Sequence, residues 1–130
     1  MEKYVDGFVI PIKCENIEKY RKMAEKGGEI WMEHGALAYV ECIGDDLNKE
    51  KVVPFTQIAG TLDQETVIFS WIVYESKEHR DQVMAAVMAD PKMNDTLEMG
   101  ELMPFNEKRM TYGGFKTLVY LLSKEKEVTE

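Results

Sequence analysis

The run TVIFSWIVY, residues 66–74, restricts the fold more than any other part of the chain. It is rich in β-branched and aromatic residues, and both of its alternating faces are largely apolar. Val67, Phe69, Trp71 and Val73 fall on one side, and Ile68, Ser70, Ile72 and Tyr74 on the other. That pattern specifies a strand inside a sheet. The other elements must be arranged around it.

They form one alternating series. YVDGFVIPI (4–12) reads as a first strand. Ile17, Tyr20, Met23, Ile30 and Trp31 recur at helical spacing over 15–34, and Gly35 supplies a left-handed stop. Residues 36–43 form a second strand, and the polar connection 44–65 holds one short packed element in VVPFTQIAG, since a structureless loop of that length is unusual. Ser76 caps a helix over SKEHRDQVMAAVMAD, which ends before Pro91. KMNDTLEMGELM adds a turn or two of helix. KRMTYGGFKTLVYLL is the last strand, with Gly113-Gly114 marking a bulge or a close backbone approach. The tail from about 123 to 130 reads as solvated.

Strand, helix, strand, strand, helix, strand is the ferredoxin-like βαββαβ order of an α+β fold, with an antiparallel four-stranded sheet in the order 4-1-3-2. Residues 1–130 make one domain on this reading, with neither repeat nor linker. Both helices cover one face. The other, expected to show Phe8, Ile10, Leu37, Tyr39, Ile68, Ile72 and Tyr74, needs a second partner. Two subunits meeting sheet to sheet, as a homodimer, satisfy that need.

Sixteen basic against 24 acidic residues leave a net charge of −8, which repels phosphate backbones, so nucleic acid is not an expected partner. No apolar run approaches the ~18 residues of a membrane span, and the N-terminus begins a strand; a cytoplasmic protein is expected, with no membrane partner. Cys14 and Cys42 read as free thiols there, because a strand between them keeps their Cα atoms beyond the ~7 Å limit for a bridge. No motif implies a cofactor, and no CxxC or HxxxH spacing supports a metal site. His34, at the end of the first helix, is a packing residue or, more boldly, a haem ligand.

The chemistry-bearing candidates come from strand parity. With the heavier set of 66–74 turned to the helices, Asp6, Ser70 and Glu41 share the opposite face, beside Tyr39. The two acids then stand about 10 Å apart, two strand spacings, with Ser70 between them. Asp6 and Glu41 are either acid and base on a small molecule or structural partners of Lys108 or Arg109. Arg109 is a ligand clamp or a counter-ion. Ser70 lacks the adjacent base that a nucleophile requires.

YVDGFV (4–9), GALAYVECIGDD (35–46), VIFSWIVYESKEHRD (67–81), MADPKM (88–93) and MPFNEKRMTYGGF (103–115) together resemble the YbaA-like family of uncharacterised bacterial proteins. The resemblance runs over most of the chain; Ile43 and Glu107 stand where the family pattern often has Trp and Gly. It implies the dimeric α/β-barrel superfamily, in which two ferredoxin-like subunits enclose a barrel, and it brings no established activity. Two functions fit: a dimeric barrel protein binding a small molecule in a cavity over the sheet, or a cofactor-independent enzyme, monooxygenase- or isomerase-like. The enzyme would use barrel-facing carboxylates on a small aromatic or carbonyl substrate.

Overall fold

The computed structural model describes residues 2–94 and 104–124. Its strands are β1 (Tyr4–Lys13), β2 (Ala38–Ile43), β3 (Glu65–Tyr74) and β4 (Thr111–Lys116), and its helices α1 (Ile17–Glu33), α2 (Phe55–Ala59) and α3 (Lys77–Ala89). All strand pairs are antiparallel, in the order β2-β3-β1-β4, so β3 and β1 are central as their apolar content demands. No helix among the described residues is long and apolar enough to cross a membrane.

Local signals act where the sequence places them. Ser76 accepts a 3.0 Å hydrogen bond from the His79 amide and starts α3. Gly35, at φ +109°, lets the chain leave α1. The short packed element in the 44–65 connection is α2, closed by left-handed Gly60. Gly114 marks a close approach without a bulge: the β1–β4 register is continuous, and the Tyr4 ring occupies the space where a Cβ would stand. Residues 91–94 are helical, but the rest of the turn expected over KMNDTLEMGELM lies outside the described residues, as does the tail beyond 124.

Three expectations need correction. The sheet is open, with β2 and β4 as its two edges, so it is not closed into a barrel and the dimeric-barrel architecture is overturned. The facing of the strands is inverted. Ile10, Ile12, Ile68, Ile72 and Tyr74 pack with Tyr20, Ala24 and Ile30 of α1 and Val83 and Val87 of α3. The helices therefore cover the face carrying Asp6, Glu41 and Ser70. Both faces of β3 are apolar, so parity groups the residues but does not choose which group faces the helices. Thirdly, β4 ends at Lys116. Leu118, Val119, Leu121 and Leu122 follow it as an exposed arm, each at least 74% accessible.

The face away from α1 and α3 is partly covered by α2, whose Phe55 ring lies 5.5 Å from that of Phe69. Val67 and Val73 are buried there, whereas Phe69 and Phe115 are exposed.

Candidate functional site

Between the helix-covered face and α1 and α3 lies a cavity of about 330 Å³. The strand register arranges its floor in rows. Glu41 of β2 stands opposite Ser70 of β3, Ser70 opposite Phe8 of β1, and Phe8 opposite Tyr112 of β4. In the next row, Tyr39 is beside Ile72 and Ile72 beside Asp6. The Phe8 and Tyr112 rings stack at 5.0 Å, and Trp31 comes down from α1. The thioethers of Met23, Met84, Met88, Met93 and Met110 complete the lining with adaptable, polarizable surface.

Glu41 is clamped. Its Oε1 accepts a 2.7 Å hydrogen bond from the Tyr20 hydroxyl and its Oε2 one of 2.9 Å from Tyr39. Burial, then the adjacent Glu41 charge, pushes both phenols well above their ordinary range, so they remain protonated donors. Tyr39 reaches this position because Gly28 of α1 presents no side chain: a Cβ there would stand 2.7 Å from the ring. An open groove along α1 and the edge strand β2 also touches Tyr20, Tyr39 and Glu41, which places the carboxylate where the cavity meets the surface.

Asp6, only 1% exposed, holds the other side of the floor. Burial pushes its carboxyl up, and the Arg80 guanidinium opposes that shift. Arg80 donates to Asp6 Oδ1 at 2.7 Å, to the Tyr112 hydroxyl at 2.7 Å and to Asp81 at 2.8 Å, and lies over the Tyr4 ring.

The structure thus brings Asp6, Tyr39, Glu41 and Ser70 to one cavity, on the helix-covered side of the sheet. Arg109 is elsewhere. It makes two hydrogen bonds to Glu65, at 2.7 and 2.8 Å, and one to the Gly60 carbonyl, and neither it nor Lys108 pairs with Asp6 or Glu41. Ile43, nearly half exposed, lines the outer groove. Tyr20 was legible in the helical spacing only as a core residue, and no sequence signal singled out Arg80.

The Arg109 bonds hold the Glu65 carboxyl at about 2, below its ordinary 4.5. A carboxyl lowered in the folded state stabilises fully above the unfolded value and loses that stabilisation as pH falls from 4.5 towards 2. Arg109→Gln is therefore expected to move the acid-unfolding midpoint, followed by circular dichroism, to higher pH. At pH 7 it is expected to leave the cavity fluorescence of Trp31 unchanged.

His34 meets Asp90 at 2.8 Å and joins the ends of α1 and α3. No group of three or more His, Cys, Asp or Glu converges as for a metal ion among the described residues, and both cysteines are free.

An open antiparallel sheet, two helices on one face and an interior pocket around a hydrogen-bonded carboxylate define a ferredoxin-like α+β protein with a site of small-molecule size. Residues 3–107 match the family described as "Protein of unknown function (DUF1428)", and the chain belongs to that family. It is 44% identical over 117 residues to "Uncharacterized protein YbaA" of Escherichia coli K12, covering 90% of this chain and 97% of the relative. A nipsnap family protein of unknown function from Agrobacterium tumefaciens superposes with a TM-score of 0.55 at 18% identity, over 88% of this chain and 87% of that one. SnoaB, a cofactor-independent oxygenase from Streptomyces nogalater, does so at 0.50 and 8% identity, over 95% and 98%. These last two are likenesses of fold.

Proposed function

We propose that the protein is a cofactor-independent enzyme whose cavity holds a small aromatic or carbonyl substrate, with Glu41 as the proton acceptor. The observation that carries this reading is the Glu41 carboxylate, fixed by two protonated tyrosines at the edge of an apolar pocket. Removing a proton from a phenol or from carbon beside a carbonyl is a step common to isomerases and to oxygenases of this kind, and an apolar pocket strengthens the charge interactions it needs. Tyr20 and Tyr39, each donating its one hydroxyl proton to Glu41, keep the carboxylate in one geometry. Asp6 and Arg80 fix the far wall, and Ser70 faces the bound molecule. The shared fold with an oxygenase supports the class of chemistry. Arg109, outside the cavity, has no part in it.

Oxygen uptake and product analysis over a panel of hydroxyaromatics and ring ketones test this. Turnover that Glu41→Gln abolishes, without loss of helical signal, is expected. If no compound is turned over but native mass spectrometry finds a retained molecule, the protein is a ligand-binding module, the second reading.

The exposed Phe69 and Phe115 favour a second copy of this chain as the partner of the outer sheet face, each sheet remaining open; a monodisperse monomer by light scattering would exclude this. Free Cys14 and Cys42 suit the reducing cytoplasm, where we place the protein.

A further inference from the structure

We infer that the cavity selects a neutral molecule of one or two rings that offers an N–H or O–H to Glu41 and, beside it, a carbonyl oxygen to Ser70. This rests on the cavity being a small-molecule site, as proposed above, and adds the pattern that the ligand must carry.

The pattern follows from what each floor group has left to give. Ser70 is 4% exposed and lines the cavity, and its hydroxyl has no hydrogen-bond partner among the described residues. No buried side-chain polar atom is left without a partner among the described residues, so the unpaired Ser70 hydroxyl opens onto the cavity, where it can donate its proton to a bound molecule. Glu41 stands directly across the β2–β3 pair, where side chains begin about 5 Å apart. Each of its oxygens already accepts one tyrosine hydroxyl and keeps capacity for a further donor. The β2–β3 side of the floor therefore presents an acceptor next to a donor. On the β1–β4 side the same row continues into the stacked Phe8 and Tyr112 rings, a surface for an aromatic face.

Charge and size narrow the class further. An anion would meet Glu41 and Asp6, while the Arg80 guanidinium behind Asp6 is already engaged by Asp6, Asp81 and Tyr112. A cavity of about 330 Å³ lies at the low end of the ~300–1,000 Å³ of ligand pockets, which suits one or two rings. A cyclic lactam fits best, because its N–H and C=O lie on one edge.

The test uses 2-quinolinone as probe, with binding followed by calorimetry and by quenching of tryptophan fluorescence. N-methyl-2-quinolinone, which lacks the donor, is expected to bind about tenfold or more weakly, as is indole, which keeps an N–H but lacks the carbonyl. The anion 2-naphthoate is expected not to bind. Ser70→Ala is expected to weaken 2-quinolinone about fivefold and to leave indole, which offers Ser70 no acceptor, unchanged, a difference that a merely unfolded variant would not show. No binding of 2-quinolinone at its solubility limit, equal binding of the N-methyl compound, or tighter binding of the naphthoate would overturn the inference. Selective binding without turnover of any compound would leave it standing while the enzyme reading fell. Turnover confined to compounds without the paired groups would do the reverse.

Discussion

Arg80→Met is expected to destabilise the protein by about 3–5 kcal/mol at pH 7, the usual cost of removing one member of a buried ion pair. Methionine keeps the aliphatic stem but leaves Asp6, 1% exposed, without the guanidinium 2.7 Å away. For a domain of this size the melting temperature should fall by about 10–20 °C. The pH dependence follows from the direction of the Asp6 shift. Burial already raises that carboxyl above 3.8, and losing Arg80 raises it further. A carboxyl raised in the folded state costs stability fully above its folded value and nothing below the unfolded one, so the deficit should shrink as pH falls through that interval. Adding Asp6→Asn should recover most of the loss at pH 7, since an amide is far cheaper to bury than a charge. Equal melting temperatures for wild type and Arg80→Met would show that the pair contributes nothing.

Two neighbouring glycines of α1 should respond to alanine with opposite signs. At Gly28 a Cβ would stand 2.7 and 2.8 Å from Tyr39 ring carbons, so the ring must move or the helix must lift. Overpacking of that kind costs roughly 1–3 kcal/mol and outweighs the gain in helix propensity of at most about 1 kcal/mol. Tyr39 would also leave its 2.9 Å bond to Glu41, so Gly28→Ala should impair the site as well as the fold. At Gly27 the nearest atom to a Cβ is the Tyr39 hydroxyl, at an ordinary 3.7 Å. Gly27→Ala should therefore stabilise by about 0.5–1 kcal/mol. Denaturant titration of both variants checks the pair; loss of stability in both would mean that the ring is less tightly seated than its contacts with α1 indicate.

The order of elements was legible because the apolar period changes from two to 3.6 and back, with Gly35 and Ser76 marking the ends of helices. The grouping of Asp6, Ser70 and Glu41 was legible for the same reason. Which way that group faces was not. Ile68, Ile72 and Tyr74 are as apolar as Val67, Phe69 and Val73, and composition cannot rank two apolar faces of one strand. The weight belonged instead to Gly7 and Gly113, paired across β1 and β4, which leave the outer face thin. Partners were also invisible: Tyr20 lies 21 residues from Glu41 and Arg80 lies 74 from Asp6, pairs that only the fold brings together. Arg109 was expected near the acids because the last strand neighbours the first, yet it precedes β4 and finds Glu65.

The arm after β4 has a practical consequence. TLVYLL (117–122) is a six-residue stretch without charge or proline, rich in β-forming residues, and 118–122 has no strand partner among the described residues. Such segments template cross-β stacking between molecules, and the lysine before it and the KEKE run after it are the kind of charged gatekeepers that hold it in check. Their restraint depends on mutual repulsion between copies, so colloidal stability should be poorest near the isoelectric point of about 4.9 and in concentrated salt.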